Sequence, residues 1–179
     1  TILIALVALA IVGAIAVAVT RNRNRQRSRE LREHFGPEYE RALEQHGDRS
    51  RAERDLWQRQ RRVQKLHIQL LAPEQCERFS APWSNVQQRF VDDPSGAVVQ
   101  ADRLVKEVMS ARGYPMGNFE QRVADLSVEH ANVIEHYRAA RDIALMNADG
   151  RAGTEELRQA MVHYRALFTD LLQSHAPQG

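Results

Sequence analysis

The sequence predicts an all-α protein, a single N-terminal transmembrane helix followed by an antiparallel helical bundle. Three observations carry that prediction. Residues 1–20 hold no charged side chain. Beyond residue 73 the apolar residues recur at spacings of three and four, the period of a helix face, without the strict alternation of a strand. Gly, Pro, Asp and Asn punctuate these stretches where helices would start and stop.

Composition sets the outer bounds. The 179 residues allow one domain of ordinary size with an appendage. A hydrophobic content of 43% excludes a wholly disordered chain, and 27% charged residues exclude a multi-span membrane protein. One cysteine excludes an intramolecular disulfide framework and any multi-Cys zinc site. The formal net charge of +2 is a cancellation between blocks. Residues 21–32 carry +5, residues 33–48 carry −4, residues 49–65 carry +5, and the remainder carries −4.

The first element is the uninterrupted apolar run Ile2 to Val19. As a helix its 18 residues span about 27 Å, close to the hydrocarbon thickness of a bilayer. A helix also satisfies every backbone polar group internally, as lipid demands. A cleaved signal peptide competes, because Ala16-Val17-Ala18 offers a small-x-small site. The arginine run directly behind it opposes export, and no basic segment precedes it. A buried core helix fits less well, since 18 apolar residues is long for one. The transmembrane anchor is therefore preferred.

Arg21, Arg23, Arg25, Arg27, Arg29 and Arg32 form the flank of that anchor. The positive-inside rule places this side in the cytoplasm, giving an N-out, C-in topology in the inner membrane. The same arginines face anionic lipid headgroups. The helix is expected to continue to about His34, where Gly36-Pro37 breaks it. Pro37 suits the first turn of a short helix, Glu38 to His46, stopped by Gly47. Ser50 with Glu53 reads as a capping box opening a helix to about Leu66. Ile68 to Ala72 reads as extended before Pro73.

Glu74 to Val91 follows, with Phe79, Trp83, Val86 and Phe90 as its core stripe and a kink or restart expected near Ser80 because of Pro82. Asp93-Pro94 starts the next helix, whose face is Val98, Ala101, Leu104, Val105 and Val108, and Gly113 ends it. Asn118 with Gln121 caps Phe119 to Leu126. Ser127 caps a helix carrying Val133, Tyr137, Ala140 and Ala144. Residues 149–153 form a loop. Thr154 caps the last helix, with Leu157, Met161, Tyr164, Phe168 and Leu171 on its face. The expected organisation is a transmembrane helix at 1–20, a basic juxtamembrane extension at 21–36, a polar neck or arm at 37–72, a bundle at 73–175 and a tail at 176–179.

Several motifs are familiar: Phe90-Val-Asp-Asp-Pro94, Ala101-Asp-Arg-Leu-Val105, Arg112-Gly-Tyr-Pro115, Leu157-Arg-Gln-Ala-Met-Val-His-Tyr-Arg-Ala-Leu-Phe168 and Phe35-Gly-Pro-Glu-Tyr39. Over roughly residues 30–172 the chain resembles an uncharacterised family of bacterial membrane-anchored or "secreted" helical proteins. The resemblance implies domain identity, and no activity or catalytic residue with it.

Chemistry-bearing patterns are sparse. No G-x-S-x-G, Walker A or G-x-G-x-x-G pattern is present. Seven histidines occur, none in H-x-x-x-H or E-x-x-H spacing. Glu129 with His136, and Glu156 with His163, are seven apart, so each pair shares a helix face. In principle the two pairs could make a carboxylate–histidine metal site or a haem site, but a partly buried, hydrogen-bonding His163 is preferred and no metal ligand is assigned. Cys76 falls in a first turn, but its acidic neighbours Glu74 and Glu77 favour an inert thiol.

Seven basic residues in 49–65 raise nucleic-acid binding, but Trp57 is the only interleaved aromatic, so no nucleic acid is favoured. The apolar loop around Tyr114, Met116 and Phe119 is either tucked under the bundle or docked on a partner. The expectation is a non-enzymatic, single-pass accessory or scaffolding subunit of a larger membrane complex, with no cofactor. Its partners would be other membrane protein subunits and anionic headgroups. Its partner-binding candidates are Arg51, Arg54, Trp57, Arg61, Arg62, Tyr114 and Phe119. A metal- or haem-binding bundle and an anionic-lipid or nucleic-acid binder are the alternatives.

Overall fold

The computed structural model describes the backbone of residues 2–173, and the side chains of these apart from residues 2–12, 14, 16, 17 and 24. The described residues form eight helices and no strand: α1 (Ile2–Phe35), α2 (Pro37–His46), α3 (Arg49–Val63), α4 (Pro73–Arg89), α5 (Pro94–Ala111), α6 (Phe119–Glu129), α7 (Ile134–Ala148) and α8 (Thr154–Gln173). They divide into two compact units, Thr1–Leu56 and Trp57–Gly179. The 176–179 tail lies outside the described residues, and so do most of the side chains of the run Ile2–Val19. Among the described residues, no helix is long and apolar enough to cross a membrane.

In the first unit α1 runs unbroken over 34 residues to Phe35, a length of about 51 Å. Gly36 breaks it with φ 48° and ψ −122°, a backbone open to glycine alone at low cost. Pro37 then supplies the first residue of α2, and Gly47 closes that helix in the left-handed conformation with its N–H on the Leu43 carbonyl. Leu31, Phe35, Tyr39, Ala42, Ala52 and Leu56 are all buried. The start of α3 differs from the expectation. Asp48, not Ser50, is the cap: its carboxylate accepts the Arg51 N–H at 2.9 Å and its carbonyl accepts the Ala52 N–H. Glu53 is drawn away from any capping box by Tyr39 and Arg49.

In the second unit α4 passes through Pro82 without a restart. Trp83 and Val86 are buried, Phe79 and Phe90 are half-buried against the core, and Trp83 stacks on Phe168 at 4.4 Å between ring centroids. Asp93 caps α5 by accepting the Gly96 N–H at 2.8 Å, with Pro94 in the first turn. The whole predicted face of α5 is buried. Asn118 caps α6 through the Gln121 N–H. α6 runs three residues beyond the expected end, because Ser127 is buried inside it and its hydroxyl turns back to the Ala124 carbonyl. A turn at His130–Val133 therefore starts α7, with no side-chain cap.

Helix directions follow from the contacts. Cys76 Sγ lies 3.8 Å from the Leu172 carbonyl and Trp83 lies on Phe168, so α4 and α8 are antiparallel. Ser95 at the start of α5 bonds Asn147 at the end of α7, again antiparallel. The Tyr164 hydroxyl donates to Asp102 and the Arg112 guanidinium to the Leu171 carbonyl, so α5 and α8 run parallel. This is an up-down bundle of α4, α5, α7 and α8 in which the parallel pair α5 and α8 meets across the middle. The segment 67–72 has no regular structure, and Gln69 donates its N–H to the Arg112 carbonyl.

Candidate functional site

The arginine flank surrounds α1. At about 100° per residue, Arg21, Arg25, Arg29 and Arg32 fall within about 80° of one another, and Arg23 and Arg27 lie on the opposite side. All six are exposed, while Ser28, Leu31 and Phe35, in the sector between them, are buried. Arg32 pairs with Glu40 at 2.6 Å and lies over the Tyr39 ring. A pocket of about 170 Å³ opens between Ser28, Arg29, Arg32, Tyr39, Leu43 and Arg49. Of its three guanidinium groups, Arg32 is paired with Glu40 and Arg49 with Glu53. Beneath it, Glu53 accepts from Tyr39 and Arg49, both at 2.9 Å. Burial pushes the Glu53 carboxyl up, but hydrogen bonds from Ser28, Arg49 and Tyr39 bring it below its ordinary value.

The partner-binding candidates on α3 have different fates. In the first unit Arg51 and Arg54 are exposed, and Arg54 Nε donates to the Ser50 carbonyl. In the second unit Arg61 is exposed and Trp57 is half-buried. Arg62 is engaged within the fold: Nε donates at 2.7 Å to Asp125, whose side chain is 1% exposed. Gln121 donates to both oxygens of the same carboxylate. Arg59 reaches the Ser127 hydroxyl at 3.4 Å.

The 113–119 loop is tucked. Tyr114 is 4% exposed. Phe119 packs half-buried against the core, 5.1 Å from the Tyr137 ring and beneath Arg141. Met116 is the large apolar residue of the loop that stands exposed.

The four groups that could in principle have shared a metal do not meet. Glu129 accepts from the Tyr114 hydroxyl at 2.7 Å, and the Glu156 carboxylate folds back beside Gly153. Only His136 and His163 come together, with Nδ1 to Nδ1 at 2.9 Å. Among the described residues no group of three or more His, Cys, Asp or Glu side chains is placed to hold a metal. Cys76 is half-buried, with Sγ near the Leu71 and Leu172 carbonyls.

A buried polar chain went unforeseen. The side chain of His130 is fully buried; its Nδ1 meets Asp170 and its Nε2 lies 3.1 Å from the Tyr114 hydroxyl. Tyr114 in turn donates to Glu129. Burial first, then the Glu129 hydrogen bond, hold the Tyr114 phenol above its ordinary value, so it stays a donor. Arg112, also buried, lies 3.5 Å from His130 Nε2 and donates to the Leu171 carbonyl. The chain Glu129–Tyr114–His130–Asp170 thus joins the ends of α6 and α8 with the turn after α5. A periodicity signal was available: Arg112 follows Val108, and His130 follows Leu126, at the four-residue spacing where a core residue belongs.

Two shallow grooves flank α8. One lies between Gln87, Phe90, Arg158, Met161, Val162 and Arg165, and the other borders Val133, Val162, Arg165, Thr169 and Asp170. Val162, between them, is 51% exposed.

No protein-family model, curated protein or solved structure matches the chain.

Proposed function

We propose that the protein is a non-enzymatic, single-pass membrane subunit that binds and stabilises a larger membrane protein complex through its helical domain. The observation that carries this reading is the composition of α1: an uncharged run from Ile2 to Val19, then six arginines within 12 residues. An apolar span followed on one side by a basic collar is the pattern of an anchor with its C-terminal side in the cytoplasm. The basic collar directly beyond the apolar run supports contact with anionic headgroups. Small residues at Ala10, Gly13, Ala14 and Ala16 allow another membrane helix close approach. Outside the anchor, the exposed arginines Arg51, Arg54 and Arg61 and the Val162 face of α8 are the surfaces offered to partners.

The test is purification of a C-terminally tagged chain from native membranes in mild detergent. The expected result is a stoichiometric set of membrane subunits eluting with it, weakened by Arg61→Glu or Val162→Asp. Elution of the chain alone overturns the proposal. So does full recovery of the tagged chain in the soluble fraction.

A further inference from the structure

His136 on α7 and His163 on α8 face one another, with Nδ1 to Nδ1 at 2.9 Å, ring centroids 5.1 Å apart and 34° between ring planes. Both side chains are half-buried, so solvent reaches the pair. A metal–imidazole bond is about 2.0–2.1 Å long. Two such bonds ending on nitrogens 2.9 Å apart enclose an angle of about 90°. That is the cis angle of a square-planar or octahedral ion. A tetrahedral ion needs its nitrogens about 3.3 Å apart, wider than the observed pair. Nitrogen donors at a cis right angle are the preference of Cu(II) and Ni(II), with Zn(II) disfavoured. The two rings share a hydrogen bond, one Nδ1–H donating to the other Nδ1, and metal binding would release that proton to solvent.

We propose that His136 and His163 form a two-nitrogen chelating site for a divalent ion of tetragonal preference, Cu(II) or Ni(II), which ties α7 to α8. Water fills the remaining coordination positions. The site differs from the four-ligand alternative raised from sequence, since Glu129 and Glu156 are turned elsewhere. The two ligands are 27 residues apart on separate helices, so only the folded chain presents them together. Binding therefore stabilises the fold by mass action.

The test uses the full chain in detergent at neutral pH, titrated with CuCl2, NiCl2 or ZnCl2. The expected result is one saturable Cu(II) site whose electron paramagnetic resonance spectrum shows coupling to two imidazole nitrogens. The unfolding midpoint should rise with metal and return on adding a chelator. H136Q and H163Q should each abolish the two-nitrogen signal and the midpoint shift while keeping the helical circular dichroism of the wild type. Persistence of the two-nitrogen signal in the double variant H136Q/H163Q overturns the proposal. So does wild-type protein whose midpoint no metal raises. Ni(II) should bind more tightly than Zn(II), and the reverse order would overturn the right-angle geometry.

Discussion

Gly113 stands at a point where two stretches of backbone nearly touch. Its φ is 95°, and a Cβ built there would sit 2.5 Å from the His67 carbonyl oxygen. The neighbouring Gln69 N–H is bonded to the Arg112 carbonyl, so the segment after α3 is held against the turn after α5. Backbone cannot swing aside as a side chain can. Gly113→Ala therefore combines left-handed strain with a backbone clash, and is expected to cost at least about 2 kcal/mol. Gly150 is the internal control: its φ is 67°, but nothing lies within 4 Å of a Cβ there. Gly150→Ala should cost only the strain, about 1 kcal/mol. Urea unfolding of the two variants separates the cases, and equal losses would sink the close-approach argument. The sequence marks Gly113 as a helix stop and no more, because a contact with His67 across 46 positions leaves no local trace. Periodicity could place Arg112 and His130 in the core one by one, but it could not assemble the His130 chain. Its members come from α6, α8 and two turns, and no spacing rule links them.

At the scale of elements, the caps show what a sequence can carry. Asp93-Pro94, Asn118 and Gly47 were legible because each acts on backbone within three or four residues of itself. Ser50 and Ser127 misled because a better acceptor or a buried position overrode the local pattern. Asp48 takes the cap of α3, and Ser127 points inside α6. The arginines of α3 show the same limit. Alike by composition, they are unlike in place, since Arg61 is exposed and Arg62 is bound to the buried Asp125. Arg62→Ala leaves that carboxylate with neutral amide donors, and should cost about 1–3 kcal/mol. Arg61→Ala should stay within about 0.5 kcal/mol of wild type. The urea midpoint at unchanged slope is the measure. Asp125→Asn should recover part of the Arg62→Ala loss, because it removes the unpaired charge, and an additive double variant would contradict the pairing.

At the scale of the whole molecule the two units carry different acid-sensitive groups. In the second unit His163 is depressed by burial and by His136. Its neutral form belongs to the folded state, so the stability it contributes is complete above the unfolded value near 6.5 and is lost as pH falls through the lower folded value. In the first unit burial raises Glu53, but the hydrogen bonds from Ser28, Arg49 and Tyr39 outweigh it and leave it depressed. Its contribution is complete above its ordinary value of 4.5 and is lost as pH falls below that. Glu155, held at about 2 by Arg158, also loses its contribution from pH 4.5 downward, but it is fully exposed and solvent screens the pair. Acid should therefore loosen the chain in order, the second unit starting below pH 6.5 and the first below pH 4.5. Hydrogen exchange read segment by segment between pH 7.5 and pH 3 measures that order. His163→Gln should flatten the first decline and leave the second, and Glu53→Gln should do the reverse. A first decline unchanged in His163→Gln would show that its proton is taken up elsewhere, and would remove the histidine pair from any account of how acid opens α7 from α8.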